Sequence, residues 1–276
     1  MGAFLGLVWF HILRIRRGQV RRNLALALPH SAHEHYRISR AVYRNMGISG
    51  IELFKMRSMS GEETLGKVRN HGLERYEEAL ARGRGIIVVT GHFGNFDLLA
   101  CSQALRGVPL AIVSRDLHGK SSNRFWMETR QSSGLTIFPD TGSARSILKW
   151  LRSGNVLGLV VDQRTGPSDG GIISPFLGQD VWTSTAPAKL ASRTGAALLP
   201  VRIERREDGD HDLFVEREIK IPGGLSANDR VTRMTADINA VLEKWVRDLP
   251  SSWMWLHRRF DHPGRRHENK REVDIV

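Results

Sequence analysis

The stretch Ile86-Ile87-Val88-Val89-Thr90-Gly91-His92-Phe93-Gly94-Asn95-Phe96-Asp97 decides how the rest of the chain is read. Four β-branched apolar residues in a row predict a strand buried on both faces. Gly91 and Gly94 punctuate a tight turn. Asn95 is placed to cap a helix over 96–106, and Gly107 to end it. His92 therefore leaves the chain at the carboxyl end of a buried strand, where open α/β sheets place their sites. Asp97 follows five residues later. In a continuous helix that separation turns about 140° and the side chains diverge. With His92 in the turn and Asp97 in the first helical turn, the chain can fold back and bring them together. A carboxylate beside an imidazole fixes its tautomer and stabilises the protonated ring, as a general base requires. The spacing alone carries nothing, because His211/Glu216 and His267/Glu272 share it. A histidine that merely caps a helix has the same local pattern, so the junction is what singles out His92.

Working outward, the chain alternates. Helices are predicted over 73–81, 122–132, 143–152 and 185–193, each of the last three followed by a closing glycine. Strands are predicted over 110–113, 135–138 and 156–161. This order implies an α/β fold with a mostly parallel central sheet flanked by helices. Asp162-Gln163-Arg164 then leave the sheet at the same kind of edge as His92. Residues 163–182, rich in Gly and Ser, read as a long loop beside the strand ends. Segments 197–205 and 213–221 read as a hairpin through Asp208-Gly209-Asp210. Asn228 opens a long helix ending before Pro250, and residues 261–276 form a polar tail.

The 276 residues, 41% apolar and 25% charged, suit one large α/β domain with a helical arm. The division read from sequence is a basic arm over 1–60, a body over 61–260 and the tail. The single cysteine, Cys101, excludes an internal disulfide framework and falls where a helix buries it. The net charge of +12 is concentrated. Residues 1–60 carry ten Lys and Arg against Glu34 and Glu52, whereas residues 61–257 carry 25 basic and 23 acidic groups. A basic arm fits an anionic membrane surface or a nucleic acid. Apolar residues 1–13 precede Arg14, Arg16, Arg17, Arg21 and Arg22. The run is too short to span a bilayer comfortably and lacks a signal peptide's charge order, so an interfacial anchor is expected. His30, His33 and His35 lie in a polar turn without a second ligand cluster, and no metal site is expected there.

No Gly-x-Ser-x-Gly elbow, P-loop, dinucleotide fingerprint or zinc cysteine pair is present. A His/carboxylate base and a set of arginines remain, which suits direct acyl transfer to a hydroxyl. Gly91-His92-Phe93-Gly94-Asn95-Phe96-Asp97 resembles the His-x4-Asp/Glu motif of the lipid A late acyltransferases. Val161-Asp162-Gln163-Arg164 with Gly166-Pro167 resembles their Asp-Gln segment, and Trp255-Leu256-His257-Arg258-Arg259-Phe260 their C-terminal signature. The likeness runs from about Gln19 to Phe260.

The resemblance implies His92 as general base with Asp97 as its orienter, and functional roles for Arg130 and Asp162. On physical grounds Arg130 is then expected to hold a phosphate or an oxyanion, and Asp162 to hold Arg130 or a sugar hydroxyl. Gln163 and Arg164 join them as substrate-binding residues, and His257-Arg258-Arg259 are read as structural or lipid-facing. Asp97 stands where many members carry Glu. The implied enzyme sits on the cytoplasmic face of an inner membrane. It needs no cofactor and moves a fatty acyl group from acyl carrier protein or coenzyme A to a hydroxyl of a lipid A precursor. Other acceptors compatible with the motifs are a mannosylated phosphoinositide or an aminolipid. A non-catalytic binder of nucleic acid or anionic lipid explains the charge but not the His92 junction.

Overall fold

The computed structural model describes residues 1–115 and 119–261. The tail expected beyond Asp261, with its His267/Glu272 pair, lies outside them. The chain begins with α1 (Gly2–Val8), a π-helical turn (Trp9–Leu13), α2 (Arg17–Ala27), α3 (Ala32–Met56) and α4 (Gly61–Gly66). Alternation follows: β1 (Val68–His71), α5 (Leu73–Ala81), β2 (Ile86–Thr90), α6 (Phe96–Leu105), β3 (Leu110–Ser114), α7 (Lys120–Ser132) and β4 (Thr136–Pro139). Next come α8 (Ala144–Arg152), β5 (Val156–Val160), β6 (Ile172–Phe176), β7 (Gln179–Thr183), α9 (Ala186–Thr194), β8 (Ala197–Arg205), β9 (His211–Val215) and α10 (Ala227–Asp248).

Among the described residues, seven strands form one sheet in the order β1-β9-β8-β2-β5-β3-β4. All its pairs are parallel except β8 with β9. β2 lies near the centre because both its faces are apolar. Ile87 and Val89 pack with Leu198, Leu157 and Trp245 on one side. Ile86 packs with Leu98, Leu99 and Cys101 on the other. Each such side chain contributes about 1.5–3 kcal/mol on burial. β2 and β5 run in register, Thr90 beside Val160, and the Val161 N–H continues the ladder to the Thr90 carbonyl at 2.9 Å. Residues two positions beyond each strand are thereby delivered side by side.

Three features differ from the sequence reading. The stretch read as a loop over 163–182 carries the β6–β7 hairpin, which spans 172–183. Pro175 and the nearby glycines hide a strand that alternates in burial, and the turn uses positive φ at Leu177 (51°) and Gly178 (73°). β1 was not foreseen because its sequence, Val-Arg-Asn-His, is polar; it exists through parallel pairing to β9 at the sheet edge. The second arm of the 197–221 hairpin ends at Val215, with Ile219 rejoining Leu198 through an isolated bridge.

The N-terminal helices share the core of the body. Phe10, Val20, Leu24 and Tyr43 are buried in one cluster with Leu198, Trp245 and Trp253. α1 lies against α3 through glycines: a Cβ at Gly6 would sit 2.1 Å from the Tyr43 carbonyl oxygen, and one at Gly47 2.4 Å from that of Gly2. The bulky apolar residues of this region, Phe4, Leu5, Ile12 and Leu13, face outward. No helix among the described residues is long and apolar enough to cross a membrane.

Candidate functional site

The carboxyl edge of β2, β5 and β3 gathers the predicted residues, but in pairs other than those expected. His92 sits in the turn after β2 and Asp162 two residues after β5. The Asp162 carboxylate accepts from the His92 backbone N–H at 2.8 Å and from the ring Nδ1 at 2.8 Å. The Trp253 indole N–H donates to it at 2.7 Å. Gly91 leaves room for this contact: a Cβ there would meet Asp162 Cγ at 3.2 Å and push the carboxylate aside. Burial pushes the Asp162 carboxyl up. The His92 charge and hydrogen bond, then His257 and Trp253, outweigh it, and the net direction is well below the usual carboxylate range. An ionised acceptor at Nδ1 places the ring proton there and leaves a lone pair on Nε2. The His92 side chain is only 15% exposed.

Asp97, expected on His92, instead holds Arg130. Arg130 Nε donates to Asp97 Oδ1 at 2.9 Å, and Nη2 approaches the same oxygen at 2.8 Å. Trp126 Nε1 donates to Asp97 at 3.1 Å, and the guanidinium lies 5.4 Å from the Trp126 ring centroid. Ser114, at the end of β3, accepts from Arg130 Nη1 at 3.0 Å. The reason for the exchange is geometric. Asp97 lies in the first turn of α6, whose cap, Asn95 Oδ1 to the Leu98 N–H at 3.0 Å, sets it facing α7. The β2–β5 register meanwhile brings Asp162 directly alongside His92. So Asp162, not Asp97, is the carboxylate on the His92 ring, and Arg130 pairs with Asp97 rather than with Asp162.

The bacterial lipid A biosynthesis acyltransferase model matches residues 1–262. The chain belongs to that family. It is 25% identical to a lipid A biosynthesis palmitoleoyltransferase of Escherichia coli K12, over 94% of this chain and 83% of that one. It is 26% identical to the lauroyltransferase of the same organism, over 94% and 84%. A phosphatidylinositol mannoside acyltransferase of Mycobacterium tuberculosis is 28% identical over 66% of this chain and 59% of its own length.

Further parts of the candidate site come from the C-terminal segment. Gln163 Nε2 lies 3.2 Å from His92 Nε2 and 3.1 Å from His257 Nε2, and the two imidazole centroids are 5.0 Å apart. Burial, then the neighbouring His92, pushes the His257 ring down to about 4. Arg259 is fully buried, and among the described residues no carboxylate hydrogen-bonds to it. Its fork donates to the carbonyls of Gln163 (2.8 Å) and Trp182 (2.7 Å), and to Thr183 Oγ1 (3.1 Å) and Asn239 Oδ1 (3.0 Å). Burial lowers it to about 10, still charged at neutral pH. From α2, buried Asn23 donates to the carbonyls of Trp255 (2.8 Å) and His257 (2.7 Å). Arg164 is exposed and unpartnered among the described residues.

The sequence reading treated His257 as structural or lipid-facing and did not weigh Trp253, Trp126, Ser114 or Asn23. The run of Trp and His over 253–257 was the visible signal for two of them. Nothing local marks Ser114 or Asn23, whose roles arise from tertiary contact.

Proposed function

We propose that this acyltransferase moves a fatty acyl group from a thioester, carried on acyl carrier protein or coenzyme A, to a hydroxyl of a lipid A precursor. The single observation that carries the mechanism is the 2.8 Å contact between His92 Nδ1 and Asp162. The acceptor hydroxyl donates its hydrogen to His92 Nε2 as its oxygen attacks the thioester carbonyl. Asp162 stabilises the imidazolium that forms. When the tetrahedral intermediate collapses, the C–S bond breaks and the departing thiolate takes the proton from Nε2. The thioester is already activated, so no metal or prosthetic group has to enter the reaction.

In the same reading Arg130, oriented by Asp97, meets an anionic group of the substrate or the developing oxyanion. Its contacts to Asp97 and Ser114 engage three of the five guanidinium N–H groups and leave two free. Arg164 is placed to meet a phosphate at the rim.

The enzyme works at a membrane surface as a peripheral protein, on the cytoplasmic face of the inner membrane. Support comes from α1, which turns small residues inward and large apolar ones outward, the reverse of a helix packed for water. Arg21 and Arg40 stand exposed without partners among the described residues, as headgroup contacts would require. Four of the five arginines first expected at headgroups also serve the fold. Arg16 reaches the Leu256 carbonyl, Arg17 that of Phe10, Arg14 that of His11, and Arg22 reaches Asp261.

A second acceptor has support in the phosphatidylinositol mannoside acyltransferases among the relatives. Purified protein with a radiolabelled acyl thioester, offered each acceptor in turn, decides. Label on the lipid A precursor supports the first reading, and label confined to the mannosylated lipid replaces it. Label on neither acceptor overturns both.

A further inference from the structure

Gln163 occupies the one position that the reaction requires to be free. An imidazole nitrogen has a single lone pair in the ring plane, and that of His92 Nε2 must receive the acceptor's hydroxyl proton. The ring proton is on Nδ1, facing Asp162, so Nε2 accepts and the Gln163 amide nitrogen donates to it at 3.2 Å. The second hydrogen of the same amide is directed to His257 Nε2 at 3.1 Å. His257 therefore also accepts, with its own proton on Nδ1. One amide spans two imidazoles and satisfies both.

We infer that Gln163 is a displaceable guard on the base: it covers His92 Nε2 until the acceptor hydroxyl replaces it, and His257 retains the displaced amide. This rests on His92 acting as the base.

The surroundings fit a side chain that moves on a fixed backbone. Arg259 anchors the Gln163 carbonyl at 2.8 Å, so the peptide stays in place. The Gln163 side chain is exposed at the rim, whereas His92 and His257 lie behind it. His257 is fixed from α2 by the Asn23 contact to its carbonyl. At neutral pH His257 is uncharged, since burial and the adjacent His92 hold its protonated form off, so it offers a lone pair throughout.

The guard suppresses a competing reaction. With Nε2 uncovered and no acceptor bound, a water donates a proton to His92 and its oxygen attacks the thioester carbonyl. The C–S bond breaks, a free fatty acid forms, and the thiolate leaves with the proton from the imidazolium. A bound Gln163 amide excludes that water. The acceptor, held at many points, displaces one hydrogen bond that a lone water cannot.

The test is release of free fatty acid from an acyl thioester without acceptor, compared with transfer when acceptor is present. Gln163→Met keeps the side-chain length and removes both donors. Losing a hydrogen bond of typical strength corresponds to about a tenfold rise in hydrolysis relative to transfer. His257→Met, which removes the second anchor, shifts the same ratio in the same direction by less. The rise must vanish when His92→Ala is added to Gln163→Met. An unchanged ratio in both single variants, each with wild-type circular dichroism, overturns the inference. So does hydrolysis that persists without His92. If one variant fails to fold, the other decides. Failure of the underlying reading is seen separately, as transfer retained in His92→Ala alone.

Discussion

Asp97 and His257 each make a statement that can be measured one residue at a time. In Asp97→Asn the Arg130 guanidinium, only 12% exposed, loses its counter-ion. Breaking a buried pair costs about 3–5 kcal/mol, or roughly 10 °C in Tm for a chain of this size. Thermal unfolding should show that loss, and an unchanged Tm contradicts the pairing. His257 bears on pH. Its folded value near 4 lies below the roughly 6.5 of an unfolded histidine. Between those values the unfolded chain binds a proton that the folded one refuses, so stability falls as pH drops from about 6.5 to 4. Asp162 acts at lower pH: its contribution is complete above the unfolded aspartate value and is lost as pH falls through its depressed folded one. Urea midpoints at pH 7 and pH 4.5 should therefore differ less in His257→Gln than in the wild type, and an equal difference contradicts the burial. At this scale the sequence showed which residues gather at the sheet edge better than whom they touch. His92 and Asp97 were legible from strand-end position, Arg130 and Asp162 only through the family resemblance. The exchange of carboxylates was not, because it depends on strand register, which no local pattern records.

Arg259 shows how an element is held by one side chain. It joins the Gln163 turn, β7 and α10 through neutral acceptors alone. In Arg259→Met four acceptors lose this donor together, two of them in fully buried bonds, each costing about 1–3 kcal/mol where water cannot replace it. Arg259→Lys cannot reproduce the planar fork. Both variants should unfold at lower temperature, with Met at least as damaging as Lys, and limited proteolysis should cut first near 163–182. Stability equal to wild type would contradict the assignment. The buried strand β2 and the long helix α10 were legible because their apolar periods are long and their caps are marked. The β6–β7 hairpin was not, since Pro175 and the glycines imitate a loop and only pairing reveals the strands. β1 failed for a related reason: its order comes entirely from β9.

For the whole molecule, the basic first sixty residues divide their work between fold and surface. The charge imbalance was visible in composition, but the inward glycines of α1 and the seating of Phe10 were not, because they depend on close approach to α3. Phe4→Glu combined with Ile12→Glu tests the surface alone, since both side chains are exposed. Each apolar side chain is worth about 1.5–3 kcal/mol on burial, so the pair should weaken binding to anionic vesicles by more than about a hundredfold with the circular dichroism unchanged. Undiminished co-sedimentation would place the lipid contact elsewhere. The central claim is that His92 and Asp162 act as one catalytic unit at the junction of β2 and β5. A double-mutant cycle on acyl-transfer kcat, with His92→Ala, Asp162→Asn and both together, tests it most directly. Asp162→Asn faces three N–H donors with a single amide oxygen, so it cannot hold the required tautomer. Each single variant should lose about 10²–10⁴-fold, and the double variant no more than His92→Ala alone. Losses that multiply, or an Asp162→Asn enzyme with near-wild-type kcat, would contradict the account.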